Sequence, residues 1–102
     1  MTLAFNNIGY CYGHGNGVKK DLNAAFEWYA KGAELGDDNA QFSLALCYQY
    51  GRGVGTNPKK AVEWYTKSAE QGNTMAQTNL GDCYIEGFGV EKDLIKAKEW
   101  LT

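Results

Sequence analysis

The chain has 102 residues, a formal net charge of −2 and a single proline, with 44% hydrophobic and 14% aromatic residues. That is one domain's worth of chain, able to fill a core and too apolar for a disordered linker. It contains no run near the roughly 20 apolar residues of a membrane helix, no basic-then-apolar signal at its start and no basic stripe to neutralise phosphates.

The sequence repeats with a period of 36 residues. Cys11, Cys47 and Cys83 are in register, as are Tyr12, Tyr48 and Tyr84, and Trp28, Trp64 and Trp100. Gly15-x-Gly17-Val18 returns as Gly51-x-Gly53-Val54 and Gly87-x-Gly89-Val90. A fixed period in this range marks a solenoid, whose units bury their apolar faces against one another. The length corresponds to about 2.8 repeats. The expectation is a single repeat domain over 1–102, with units of approximately 1–36, 37–72 and 73–102.

In chain order, the first helix is announced by Ala4, Ile8 and Tyr12, at i, i+4 and i+8 along one stripe. Gly9 lies beside that stripe, where a small residue lets another helix approach. The Gly15-x-Gly17 turn stops the helix by allowing positive φ. A second helix is expected from an Asp21 cap to Gly36, supported by the i,i+4 pair Glu27 and Lys31. The third starts at Asp38, because Asp38-x-x-Gln41 has capping-box spacing. Ala40, Leu44 and Tyr48 form its stripe, with Ala45 in the small-residue place, and Gly51 ends it. Asn57-Pro58 opens the fourth helix, with Asn as N-cap and Pro at the first helical position. Ala61, Trp64, Tyr65, Ser68 and Ala69 are predicted on its inner side, Glu63 and Lys67 on its outer side, and Gly72 at its end. The fifth repeats the third, from Thr74-x-x-Gln77 through Ala76, Leu80 and Tyr84, with Gly81 beside them. Asp93 caps a sixth helix, which runs to the end of the chain. Met1-Thr2-Leu3 leaves little room for a cap, and Trp100-Leu101-Thr102 stops where the earlier copies continue, so a stretch of a longer array is expected. Open ends of this kind favour end-to-end self-association at high concentration. The predicted fold is all-α, a right-handed superhelical α-solenoid of antiparallel helix pairs.

The pattern Ala40-x-x-x-Leu44-Ala45-x-x-Tyr48-x-x-Gly51-x-Gly53-Val54, followed by Lys60-Ala61-x-x-Trp64-Tyr65-x-Lys67-Ser68-Ala69-Glu70-x-Gly72, resembles the Sel-one-like repeat family, a relative of the tetratricopeptide repeats. The likeness extends over the whole chain in three registers. It implies an adaptor or scaffold that binds a protein or peptide, with the first helix of each pair lining a concave groove. The alternative is a structural spacer within a larger protein. The groove positions are those offset from the packing stripe: Asn6, Tyr10, Gly13 and His14, then Phe42, Leu46, Gln49 and Tyr50, then Thr78, Asp82, Ile85 and Glu86. They differ between copies while packing positions recur, and Phe42, Leu46 and Tyr50 are of the kind that anchor interfaces. The rival reading is that these three pack on a neighbouring helix.

Catalytic and metal chemistry find little support. Equivalent cysteines on successive first helices are about 8–10 Å apart at packed-helix distance. That exceeds the ~7 Å limit for a disulfide and the reach of a zinc site. Buried free thiols are expected. Secreted relatives with paired cysteines in each repeat, some linked to penicillin binding or β-lactam hydrolysis, are a poor match to one cysteine per repeat. His14 is the only histidine and has no carboxylate or nucleophile at a telling spacing. The Gly-x-Gly loops follow helices and lack the phosphate-binding Lys-Ser/Thr, so they read as turns. Lys19-Lys20 and Lys59-Lys60 raise an RNA-binding helical repeat as a remote alternative, but they are expected on a solvated face away from the groove, and the Trp28, Trp64 and Trp100 stripe in the core. No enzyme activity, cofactor, metal, nucleic-acid partner or membrane insertion is expected. The unpaired cysteines favour a cytoplasmic compartment, although a targeting segment can lie outside this stretch.

Overall fold

The computed structural model describes residues 3–101. Met1, Thr2 and Thr102, at the ends read as cut, lie outside the described residues, as does the side chain of Ala4 in the first stripe. Six helices follow one another among the described residues: α1 (Leu3–His14), α2 (Leu22–Glu34), α3 (Asp38–Tyr50), α4 (Pro58–Glu70), α5 (Thr74–Glu86) and α6 (Leu94–Leu101). Each packs on its neighbours in sequence, and α1 also touches α3. The result is an elongated stack of helix pairs, 43 × 26 × 19 Å, which is the α-solenoid expected from the repeats.

The second helix of each pair starts where the caps place it. Asp21 accepts from the Ala24 amide at 3.1 Å, Asn57 from that of Lys60 at 3.1 Å, and Asp93 from that of Lys96 at 3.0 Å. The third and fifth helices begin at Asp38 and Thr74 as predicted, but their caps lie one residue before the capping-box positions. Their N-caps are Asp37 and Asn73, which accept from the Ala40 and Ala76 amides. The capping-box reading of Gln41 and Gln77 is therefore corrected. Their side chains reach across the seam between units instead, donating to the carbonyls of Ala33 at 3.2 Å and Ala69 at 3.1 Å, near the end of the preceding helix. A glutamine satisfies both patterns from sequence, and only the neighbouring helix end decides between them. Gln41 also accepts from Gln71 at 2.8 Å. Gln41→Ala removes both bonds and is expected to cost about 1–3 kcal/mol, at about 0.5–1.5 kcal/mol per bond. Chemical denaturation would show this as a lower midpoint with an unchanged slope.

The core lies along the line where the pairs meet. Ala40, Ala45, Ala61, Tyr65, Ala76 and Leu80 are fully buried, and Leu44, Cys47 and Cys83 nearly so. Small side chains set the spacing as expected: a Cβ on Gly9 would stand 2.6 Å from the Tyr29 ring. All three cysteines are free, with Cys47 and Cys83 buried and Cys11 half-buried. Burial pushes the Cys47 and Cys83 thiols up to about 11, so both stay protonated and unreactive near neutrality.

The tryptophan stripe departs from expectation. Trp28, Trp64 and Trp100 are half-buried, at the rim of the core. The ammonium groups of Lys31 and Lys67 lie 4.4 and 5.3 Å from the centres of the Trp28 and Trp64 rings. The adjacent Tyr65 takes the inner place. Recurrence in every copy marks a packing role, and a rim position meets that requirement as well as a central one.

Candidate functional site

The first helices α1, α3 and α5 present the unrepeated positions, and the structure gathers these into two clefts. The larger, of about 540 Å³, is lined mostly by units one and two, with Met75 from unit three. Of the residues expected in the groove, Asn6, Tyr10, Gly13, His14, Phe42 and Leu46 line it. The smaller, of about 160 Å³, lies between units two and three and takes Gln49, Tyr50, Asp82 and Glu86. Thr78 and Ile85 line neither. Thr78 turns its hydroxyl onto the Thr74 carbonyl of its own helix, and Ile85 is exposed in the last turn of α5. The group Phe42, Leu46, Gln49 and Tyr50 is thus split between two sites.

Two apolar members serve both packing and surface. Phe42 and Leu46 are half-buried and pack against the core, with the Phe42 ring 5.9 Å from that of Tyr65. Tyr10 and Tyr50 are the open ones, 52% and 58% exposed. The Tyr10 ring sits 4.0 Å from that of His14, and the Arg52 guanidinium lies 5.2 Å from the centre of the Tyr50 ring. Gln49 accepts from the Tyr65 hydroxyl, so its side chain is partly committed to the scaffold.

The structure adds residues that the repeat reading missed. Lys20, Tyr29, Arg52 and Met75 all line the larger cleft. Lys20 was expected on a solvated face away from the groove. It lies on the cleft because the glycine turn folds the loop back over the end of α1, where the Asp21 amide donates to the Tyr12 carbonyl. Tyr29 matches Tyr65 by repeat and is therefore legible as scaffold. Only the residues around it reveal that its hydroxyl opens on a cavity. The two clefts differ in charge: Lys20 and Arg52 are both cationic in the larger, Asp82 and Glu86 both anionic in the smaller. No group of three or more His, Cys, Asp or Glu suited to a metal is found among the described residues.

The Sel1 repeat model matches residues 3–37, 38–73 and 74–102, which together cover nearly the whole chain. The chain belongs to the Sel1 repeat family. Two solved structures are highly similar. A Sel1 repeat protein from Oxalobacter formigenes is 42% identical with a TM-score of 0.95, over 98% of this chain and 40% of that one. The antigen c5321, a protective antigen present in uropathogenic Escherichia coli strains and displaying an SLR fold, is 39% identical with a TM-score of 0.95. That match covers 97% of this chain and 21% of the antigen. Helicobacter pylori cysteine-rich protein B shares the fold, with a TM-score of 0.81 at 21% identity, over 97% of this chain and 77% of that one. No curated protein sequence matches this chain. The chain thus spans about two-fifths and one-fifth of the first two structures. Sel1 repeats typically form protein-interaction modules.

Proposed function

We infer that this Sel1 repeat stretch holds a peptide segment of a protein partner on the face carried by α1, α3 and α5. The carrying observation is the cleft of about 540 Å³, walled mostly by side chains that differ between copies. Repeated residues build the stack, and the unrepeated Tyr10, Phe42 and Leu46 give the cleft apolar anchors beside polar and charged groups. Such a mixture suits recognition of a side chain sequence more than general adhesion. The chain acts by binding and not by catalysis, so nitrocefin should remain unhydrolysed. A second reading is a spacer in a longer array, favoured by the small share of the similar chains that this stretch covers.

Tyr10 and Met75 are both more than half exposed, so their joint replacement by alanine leaves the core untouched. Affinity capture from lysate by the parent and by the Tyr10→Ala/Met75→Ala variant tests the reading. Losing two interface anchors should reduce partner retention by about tenfold or more, with helicity unchanged by circular dichroism. Equal retention would place binding on another face, and no capture by either protein would favour the spacer.

A further inference from the structure

Comparison of equivalent positions explains why the larger cleft exists and what it lacks. In unit two, Tyr65 projects between α3 and α5. Its hydroxyl donates to the Gln49 side chain and accepts from the Asn79 amide at 3.3 Å. The equivalent tyrosine in unit one is Tyr29, and the residues at the two partner positions are Gly13 and Ser43. Gly13 has no side chain to offer, and a Cβ there would stand 3.6 Å from the Tyr29 hydroxyl. Ser43 is turned away, donating to Asn6 at 2.9 Å. The Tyr29 hydroxyl therefore has no hydrogen-bond partner among the described residues, and it is not a sealed orphan, because it opens on the cleft.

We propose that this cleft receives an acidic side chain of the partner peptide, whose carboxylate accepts from the Tyr29 hydroxyl and pairs with Lys20 and Arg52. A neighbouring apolar residue of the peptide lies on Phe42, Leu46 and Met75. The carboxylate takes the place that the Gln49 oxygen holds against Tyr65 in the next unit. Charge complementarity selects an acid over an amide: both charged side chains lining the cleft are cationic, in a chain whose net charge is −2. Arg52 is close enough to Tyr29 to oppose the burial that raises its phenol to about 12. Charge-assisted bonds from a guanidinium fork and a phenol are the strong class of hydrogen bond, and they offset the desolvation of a carboxylate.

The inference rests on the proposed binding face, and the test separates the two. A random decapeptide library, displayed with its C-terminus tethered, is selected on the parent protein. A selected peptide is then synthesised with an amidated C-terminus, alongside a version in which its acid is replaced by the matching amide. The expected result is enrichment of Asp or Glu beside a bulky apolar residue, and about tenfold or greater loss of affinity on the acid-to-amide change. Tyr29→Phe, which keeps the ring, should weaken the acidic peptide several-fold and the amide version less, because an amide oxygen still accepts from the phenol but without the charge. Gly13→Gln installs the unit-two partner, fills the cleft and removes binding, while leaving the melting temperature equal or higher. Enriched peptides without an acid, or undiminished binding to Gly13→Gln, overturn the inference and leave the binding face standing. No enrichment at all overturns both proposals.

Discussion

Tyr65→Ala is expected to destabilise the protein by about 3–5 kcal/mol, as a large buried aromatic cut to a methyl. Its side chain is fully buried, packs with Phe42 and joins α3 to α5 through Gln49 and Asn79. A short stack has little stability to spare, so the variant should melt far below the parent or fail to fold at ordinary temperature. Trp64→Ala is the informative comparison. The indole is larger, but it is half-buried and one face is shared with Lys67. Its loss should cost about 1–3 kcal/mol. Denaturant melts of both variants check the order. A Trp64→Ala variant less stable than Tyr65→Ala would mean that the inner side of α4 is misassigned.

Gly53→Ala is expected to cost about 2–4 kcal/mol, and Gly17→Ala about 1–2 kcal/mol, although the two glycines are equivalent by repeat. Both have φ of 74°, in the left-handed region where a Cβ is unfavourable. The difference is in their surroundings. A Cβ on Gly53 would strike the carbonyl of Leu22 at the start of α2, and the backbone cannot step aside as a flexible side chain does. A Cβ on Gly17 would meet nothing within 4 Å. Gly89 repeats the tight case against Pro58. In the second and third loops the second glycine, Gly53 or Gly89, is therefore a contact with the preceding unit as well as a turn, whereas Gly17 is a turn alone. Thermal melts of the two alanine variants should differ by several degrees. Equal destabilisation would show that backbone conformation alone accounts for both.

Much of this was legible from spacing. The stripe Ala40, Leu44 and Tyr48 is buried or half-buried as its period demands, and Asn57-Pro58 caps α4 as its chemistry demands. The errors have a common origin. Gln41, Trp64 and Lys20 were each assigned from their own helix or loop, whereas their roles are set by a neighbouring element: the end of α2, the edge of the core and the mouth of the cleft. Local signals report which residues need a partner and not which partner is within reach.

The sequence by itself determined the period, the helix pairs, the glycine turns and the division between repeated scaffold and unrepeated surface. These follow from short-range rules of helix periodicity, capping and backbone freedom, which act within a few residues along the chain. Only the tertiary structure decided that Tyr65 and not Trp64 lies at the centre, and that the unrepeated residues divide into a cationic and an anionic cleft. It alone decided that Tyr29 faces open space. That outcome depends on Gly13 and Ser43 standing, from two different helices, where Gln49 and Asn79 stand one unit later. A cavity is made by what neighbouring elements fail to fill, and that becomes visible only when they are packed together.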